Sequence, residues 1–320
     1  APLENPSART LGILPWLGWN NYDKTMAGLL LYNPPFPGQK LQYYLAPGYA
    51  FGSKSLTGLA DVRYNLHPGE WMPRLSIGVS AKTFNQDYNW TDQYYTRYYR
   101  LVPQIRGELG SNNPAFRHWL NLRVLLIGRE EANYSIEGDY LDKEYDRSTI
   151  YELRYEAANK TYPNPYVLTV ALEFQDKEST PFERGRSYLR NTVTYQQRFH
   201  YSQERKITAR FFGGVFLHNS NWDSQGFTPE MLTLLPQGYN DYRYDQLFFG
   251  RTDNTGVFSQ QVSQTDGGFK NAFGSNYPVT GLSQRYLLSL NLRADLPFRL
   301  PLGIPLKPYF DLGYFEDAAP

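Results

Sequence analysis

The sequence predicts an all-β protein: an antiparallel transmembrane β-barrel of roughly 12 or more strands of about ten residues each, with its last strands missing. Three observations carry this prediction. Apolar and polar residues alternate with period two in segment after segment. Aromatic residues make up 17% of the 320 residues, with 28 Tyr, 19 Phe and 6 Trp. Apolar runs such as Val124-Leu125-Leu126-Ile127 and Leu29-Leu30-Leu31 fall far short of the roughly 20 residues a membrane helix needs.

Alternation marks a strand because successive side chains point to opposite faces of a sheet, so a half-buried strand reads dry, wet, dry. Leu11–Trp19, Thr25–Tyr32, Leu41–Phe51 and Leu56–Leu66 open the series with weaker patterns. Arg74–Phe84 is clearer: Leu75, Ile77, Val79 and Ala81 alternate with Ser76, Gly78, Ser80 and Lys82. Tyr98–Leu109 and Phe116–Ile127 follow, and Thr149–Ala157 places Glu152, Arg154 and Glu156 on its wet face. Tyr166–Phe174 sets Tyr166, Leu168, Val170, Leu172 and Phe174 against Thr169 and Glu173. Thr192–Ser202 has Val193, Tyr195, Phe199 and Tyr201 on its dry face, interrupted by Gln197. Lys206–His218 opposes Ile207, Ala209, Phe211, Val215 and Leu217 to Lys206, Thr208, Arg210 and His218. In Tyr286–Leu296 the dry set Tyr286, Leu288, Leu290, Leu292, Ala294 and Leu296 faces away from Leu287, Ser289, Asn291, Arg293 and Asp295. Leu306–Tyr314 closes the series.

Segments of about ten residues are twice the usual globular strand and match a tilted crossing of a bilayer. Tyrosines stand near the ends of these runs, at Tyr32, Tyr43, Tyr49, Tyr64, Tyr166, Tyr201, Tyr286, Tyr309 and Tyr314, where aromatic girdles belong. Short turns such as Asn20–Asp23 and Ser202–Glu204 contrast with the long polar connections expected at Asn85–Arg97, Asn133–Arg147, Gln175–Gly185 and Asn219–Ser283. The chain therefore reads as one domain, 1–320, with a long loop insertion at 219–283.

Charge and chemistry narrow the function by exclusion. Lys and Arg number 32 against 31 Asp and Glu, which gives no footprint for nucleic acid. Cysteine is absent, so disulfides and thiolate ligands play no part. Ala1–Pro6 has no basic start followed by an apolar core, which places any secretory signal outside this chain. The sequence contains no HExxH, GxSxG or GxxxxGK[ST] pattern, so no catalytic, cofactor or metal residue is assigned. His67, His118, His200 and His218 are widely spaced. Of these, His200 and His218 lie on wet faces of neighbouring strands and are weighed as a weak metal pair against plain polar residues. Tyr94-Tyr95 and Tyr98-Tyr99 read as an interfacial belt ahead of a stacking platform for sugar or bases.

The long insertion holds the most distinctive residues. Phe227–Leu232 reads as a short helix start, with Thr228 as N-cap and Pro229 in the first turn. Further on, Phe248–Phe273 is expected to fold back into the lumen, with Arg251, Asp266, Gly267, Gly268, Phe269 and Lys270 forming a lumen loop. The glycine pair would allow a tight turn against the wall, and Arg251 and Asp266 would meet Arg210, Asp295 or Arg293.

The run YDQLFFGRTDNTGVFSQQVSQTDGGFK, the following LLSLNLRADLPFRLPL and then KPYFDLGYF resemble the C-terminal outer-membrane β-barrel region of gluzincin-family metallopeptidases of the Bacteroidetes type. The likeness is clearest from Asp241 to Tyr314. It implies a barrel in the bacterial outer membrane, in contact with lipid, that anchors or houses a zinc aminopeptidase module absent from this chain. Zinc would belong to that module, and the module or other outer-membrane proteins would be the partners. The chain departs from the family pattern by lacking HExxH and by ending in EDAAP where an aromatic-ended strand is expected. The alternatives are a transport or assembly barrel, whose late loop also folds inward with an arginine, and a soluble carbohydrate-binding β protein.

Overall fold

The alternating runs pair into a single antiparallel sheet of 13 strands in chain order. These are β1 (Gly12–Asn20), β2 (Lys24–Tyr32), β3 (Leu41–Ala50), β4 (Ser55–Leu66), β5 (Arg74–Asn89), β6 (Tyr94–Leu109) and β7 (Phe116–Tyr134). They continue with β8 (Tyr140–Asn159), β9 (Tyr166–Lys177), β10 (Arg186–His200), β11 (Lys206–Asn219), β14 (Tyr286–Ala294) and β15 (Tyr309–Phe315). Two short strands, β12 (Leu232–Thr233) and β13 (Leu282–Ser283), pair separately within the insertion between β11 and β14. The computed structural model describes residues 11–20, 22–34, 39–89, 91–134, 140–178, 185–220, 222, 228–234, 241–245, 266–270, 281–298 and 306–316. Among these residues there is no helix, and β1 and β15 are the two unpaired edges of a sheet that does not close.

The register shows how the strands are staggered. From Leu41, the first residue of β3, a row of direct cross-strand partners runs through Tyr64, Ile77, Ile105 and Leu122. It continues through Leu153, Leu172, Asn191 and Val215 to Tyr286, the first residue of β14. The row enters at one rim and leaves at the other, because β3 and β14 start at opposite rims. This stagger tilts the strands as a barrel requires. Apart from Asn191, every residue in the row is apolar or aromatic, so one face stays dry across ten neighbouring strands.

The opposite face is concave. Asp23, in the β1–β2 turn, accepts a 2.5 Å hydrogen bond from Asn85 Nδ2 on β5. On a flat sheet β2 and β5 would stand about 14 Å apart, at about 4.8 Å per strand, so the sheet must curl to bring these side chains together. Buried Met26, Phe84, Tyr98, Val102, Leu125 and Ile150 line this face from β2 to β8, in one cluster with Tyr244 of the insertion. A second cluster joins Tyr188, Phe212, Phe216 and Leu287 to Leu232, Leu234 and Phe269. The convex face has the opposite character: Leu17 is 80% exposed, Leu56 71% and Leu312 56%.

Several expectations require correction. Most of Asn85–Arg97 and Asn133–Arg147 is strand, because β5–β6 and β7–β8 extend as hairpins to Asn89–Tyr94 and Tyr134–Tyr140. The first residues of Gln175–Gly185 likewise belong to β9. Backbone pairing continues there after the apolar alternation stops, supported by charged neighbours such as Arg129, Glu131 and Asp146. Thr228 starts a turn, closed by Met231 N–H on the Thr228 carbonyl at 3.2 Å, and no helix follows. The fixed φ of Pro229 suits a turn as well as a helix start, and pairing of β12 with β13 decides between them. Tyr32 and Tyr309 lie on the concave face: Tyr32 pairs with Gly12, in the same alternation as Trp16 and Gly28, and Tyr309 sits beneath Lys270. Phe310 takes the outward position instead, paired with Leu292.

Trp16 crosses the concave face of β2 and β3, and its indole donates to the Pro47 carbonyl at 3.2 Å. A Cβ at Gly28 or Gly48 would overlap that ring. Gly48→Leu is therefore expected to destabilise the fold by about 1–3 kcal/mol through overpacking, read as a lower denaturation midpoint. Trp16→Ala in the same background should recover part of that loss.

Candidate functional site

The concave face carries charge that the sheet cannot neutralise unaided. Glu152 on β8 is fully buried and Glu173 on β9 is 2% exposed. Arg100 on β6, Arg123 on β7 and Arg190 on β10 are buried beside them. Buried charges are tolerated when paired and hydrogen-bonded, and are costly otherwise. The segment Asp241–Asp245, from the insertion between β11 and β14, completes the pairing.

Arg123 is the centre of the arrangement. Its Nε and Nη2 donate to Glu152 at 2.7 and 2.9 Å, and its Nη1 and Nη2 donate to Asp245 at 2.6 and 2.7 Å. The planar guanidinium thus forks onto two carboxylates, one from the wall and one from the segment. Arg100 adds a 2.6 Å bond to Asp245 and a 2.8 Å bond from Nε to the Arg243 carbonyl. In return, Arg243 of the segment donates to both wall carboxylates, Glu152 and Glu173, each at 3.1 Å. Arg154 contributes a further 3.0 Å bond to Glu152. Glu173 also accepts from Tyr188 at 2.7 Å and from Tyr242, and the Lys82 ammonium donates to the Asp245 carbonyl at 3.2 Å.

The backbone of the segment is bent to reach these partners. Tyr244 has φ of 50°, a left-handed conformation that a bulky residue seldom adopts. A 2.9 Å bond from its N–H to the Asp241 carbonyl closes the turn. Its ring stacks on Tyr98 with centroids 4.0 Å apart, and its hydroxyl donates to Gln86. Such a conformation persists where surrounding contacts over-determine it.

A second group of contacts fixes the rest of the insertion. Asp266–Lys270 lies against β10, β11, β14 and β15. Arg210 donates to the Asp266 carbonyl at 2.6 Å, Ser289 to the Gly267 carbonyl at 2.7 Å, and the Lys270 ammonium lies 3.4 Å from Asp311. The Asp266 carboxylate is 3.7 Å from Arg190. Gly268 has φ of 67°, and a Cβ there would press on Arg210 at 2.6 Å. Glu230 adds a 2.5 Å ion pair with Arg186.

Of the sequence-selected loop residues, Asp266, Gly267, Gly268, Phe269 and Lys270 all sit on the concave face, and Arg251 lies outside the described residues. Asp266 meets Arg210 through its carbonyl. Asp295 instead pairs with Lys307 at 2.9 Å, at the rim where β14 ends. His200 and His218 cannot share a ligand: His200 is paired with Lys206 and His218 with Leu189, at opposite ends of the β10–β11 pair. Antiparallel strands put residues near their two C-terminal ends at opposite rims. Tyr98 of the tyrosine run is buried under Tyr244. The strongest anchors, Arg123, Glu152, Glu173, Arg243 and Asp245, were not selected from the sequence. Their signal was the placement of buried-parity charges on neighbouring strands together with Tyr-Arg-Tyr-Asp inside the insertion. Neither a scan of protein-family models nor a search of curated proteins gives a match to this chain.

Burial alone would raise the Asp245 carboxyl, but the Arg123 hydrogen bonds and the charges of Arg243, Arg123 and Arg100 outweigh it and hold the group well below the usual carboxylate range. Its folded pKa therefore lies below its unfolded one. The stabilisation is complete above the ordinary aspartate value of about 3.9 and is lost as pH falls through the folded value. The segment should accordingly stay protease-resistant at about pH 4 and loosen only in stronger acid, as followed by pepsin cleavage. Asp245→Ala leaves Arg100 and Arg123 buried with too little countercharge. It is expected to cost about 3–5 kcal/mol, measured by denaturant unfolding, with faster proteolysis near Arg243.

Proposed function

We propose that this chain is a β-barrel of the bacterial outer membrane whose interior is filled by its own insertion, and that it anchors a zinc-peptidase module carried elsewhere. The observation that carries the membrane reading is the convex face. It is apolar along the row from Leu41 to Tyr286 apart from Asn191, and Leu17, Leu56, Leu122, Ile105 and Leu312 are exposed on it. Water-soluble monomers rarely expose contiguous apolar patches beyond a few hundred Å², whereas a barrel presents such a band to lipid. Exposed aromatics near the strand ends, including Trp19, Tyr49, Tyr64, Tyr201 and Tyr314, suit the two interfaces.

An anchor is favoured over an open channel by the packing of the interior. Asp241–Asp245 is bonded to β6, β7, β8 and β9, and Asp266–Lys270 to β11, β14 and β15. The peptidase part of the reading rests on the resemblance over Asp241–Tyr314. Those residues include both inner segments and two of the strands that hold the second, β14 and β15.

Phase separation in a cloud-point detergent tests the membrane reading: the folded chain should enter the detergent phase, and quantitative recovery in buffer would contradict it. Reconstituted in planar bilayers, it should conduct little, with Asp245→Ala increasing open events; a steady large conductance in the unaltered chain would exclude the filled interior. The coding sequence in the same reading frame tests the peptidase module, through the presence or absence of an upstream HExxH.

A further inference from the structure

The insertion descends from the rim where β11 ends and β14 begins. At the other rim, the concave face of β3–β7 carries a polar recess of about 300 Å³. Its wall includes Arg63, Arg74, Arg106, Arg117, Glu108 and Trp119. Two of the guanidinium groups are already paired, Arg63 with Asp61 at 2.6 Å and Arg106 with Glu156 at 2.9 Å. Arg106 also lies over the Trp119 ring, 5.4 Å from its centroid. Among the described residues no ion pair reaches Arg74, Arg117 or Glu108. Glu108 stands between the two arginines in the register, directly across from Arg74 on one side and from Trp119, two residues beyond Arg117, on the other. Four arginines against Asp61, Glu108 and Glu156 leave one positive charge uncompensated. Arg106 Nε is buried in this wall without a hydrogen-bond acceptor among the described residues.

We propose that this recess binds an oxyanion, the phosphate group of a small solute or of a lipid headgroup. Guanidinium forks match phosphate oxygens bidentately. A concave wall with an excess of positive charge concentrates such ligands beyond what the same arginines would do on an open surface. The carboxylates do not cancel the site, because two of them are held by Arg63 and Arg106. Arg74 and Arg117 are the residues free to close on the ligand. The site is a property of the concave face and stands apart from the membrane assignment, which detergent partition tests separately.

The test is equilibrium binding to the full chain, folded in an uncharged, phosphate-free detergent. Inorganic phosphate is one probe and mixed micelles containing phosphatidic acid are the other. Arg74→Gln and Arg117→Gln, singly and together, are compared with Arg293→Gln on the concave face of β14. Circular dichroism of each variant confirms that the sheet has formed. Saturable binding that weakens about tenfold or more in the double variant, is intact in Arg293→Gln and declines with added salt supports the site. If phosphate itself shows this behaviour, the source is a free solute; if only the lipid micelles do, it is a headgroup. Absence of binding to both probes overturns the proposal, as does binding that the double variant leaves unchanged. Should the double variant fail to fold, the two single variants decide by the same criterion.

Discussion

The interior depends on Arg123, one guanidinium shared between a carboxylate of the wall and a carboxylate of the insertion. Glu152 is fully buried and Asp245 partly so, and each receives two hydrogen bonds from this side chain. The wall is not neutral alone. Without the segment, Arg100 and Arg123 outnumber the nearby Glu152; without the wall, Arg243 and Asp245 keep only each other, 3.5 Å apart. Buried ion pairs add little over a hydrophobic replacement but are costly to break. The network therefore fixes where the segment sits more than it adds to overall stability. The left-handed Tyr244 is tolerated because contacts on both sides leave it no cheaper position.

That interior explains why the two faces of the sheet differ so sharply. A segment bonded across the concave face satisfies its charges, while among the described residues the convex side stays apolar and exposed. The stagger of the strands carries an apolar row from one rim to the other, and only Asn191 interrupts it, its amide lying 3.4 Å from the Ala171 carbonyl. The extended β5–β6 and β7–β8 hairpins stand at the rim that the insertion enters, and the arginine-rich recess opens at the other. Filling, projecting hairpins and recess are thus distributed along one axis of the molecule.

All thirteen strands of the main sheet were legible, because alternation is a local property and each run carries its own period. Their full lengths were not. Past Phe84 and Ile127 the ladder continues with polar residues on both faces, where period-two hydrophobicity has nothing to report. Thr228-Pro229 was ambiguous because proline favours the same φ in a turn and in a first helical turn. The site was half legible: Gly267-Gly268 announced a turn, and Asp266 and Lys270 suggested partners. The anchoring role of Asp241–Asp245 was hidden because it depends on which wall charges lie opposite, and that follows from register and curl over strands far apart in sequence. His200 and His218 share a strand pair, but antiparallel register puts them at opposite rims.

The central claim is that convex residues face lipid while their immediate neighbours face a filled interior. Because the chain has no cysteine, single cysteines at Leu288, Ser289, Leu290 and Asn291 can carry spin labels without altering the background. In lipid vesicles, labels at Leu288 and Leu290 should be relaxed strongly by oxygen and weakly by a water-soluble nickel chelate. Labels at Ser289 and Asn291 should be immobilised and shielded from both. Equal access of the nickel chelate to all four positions would contradict the account.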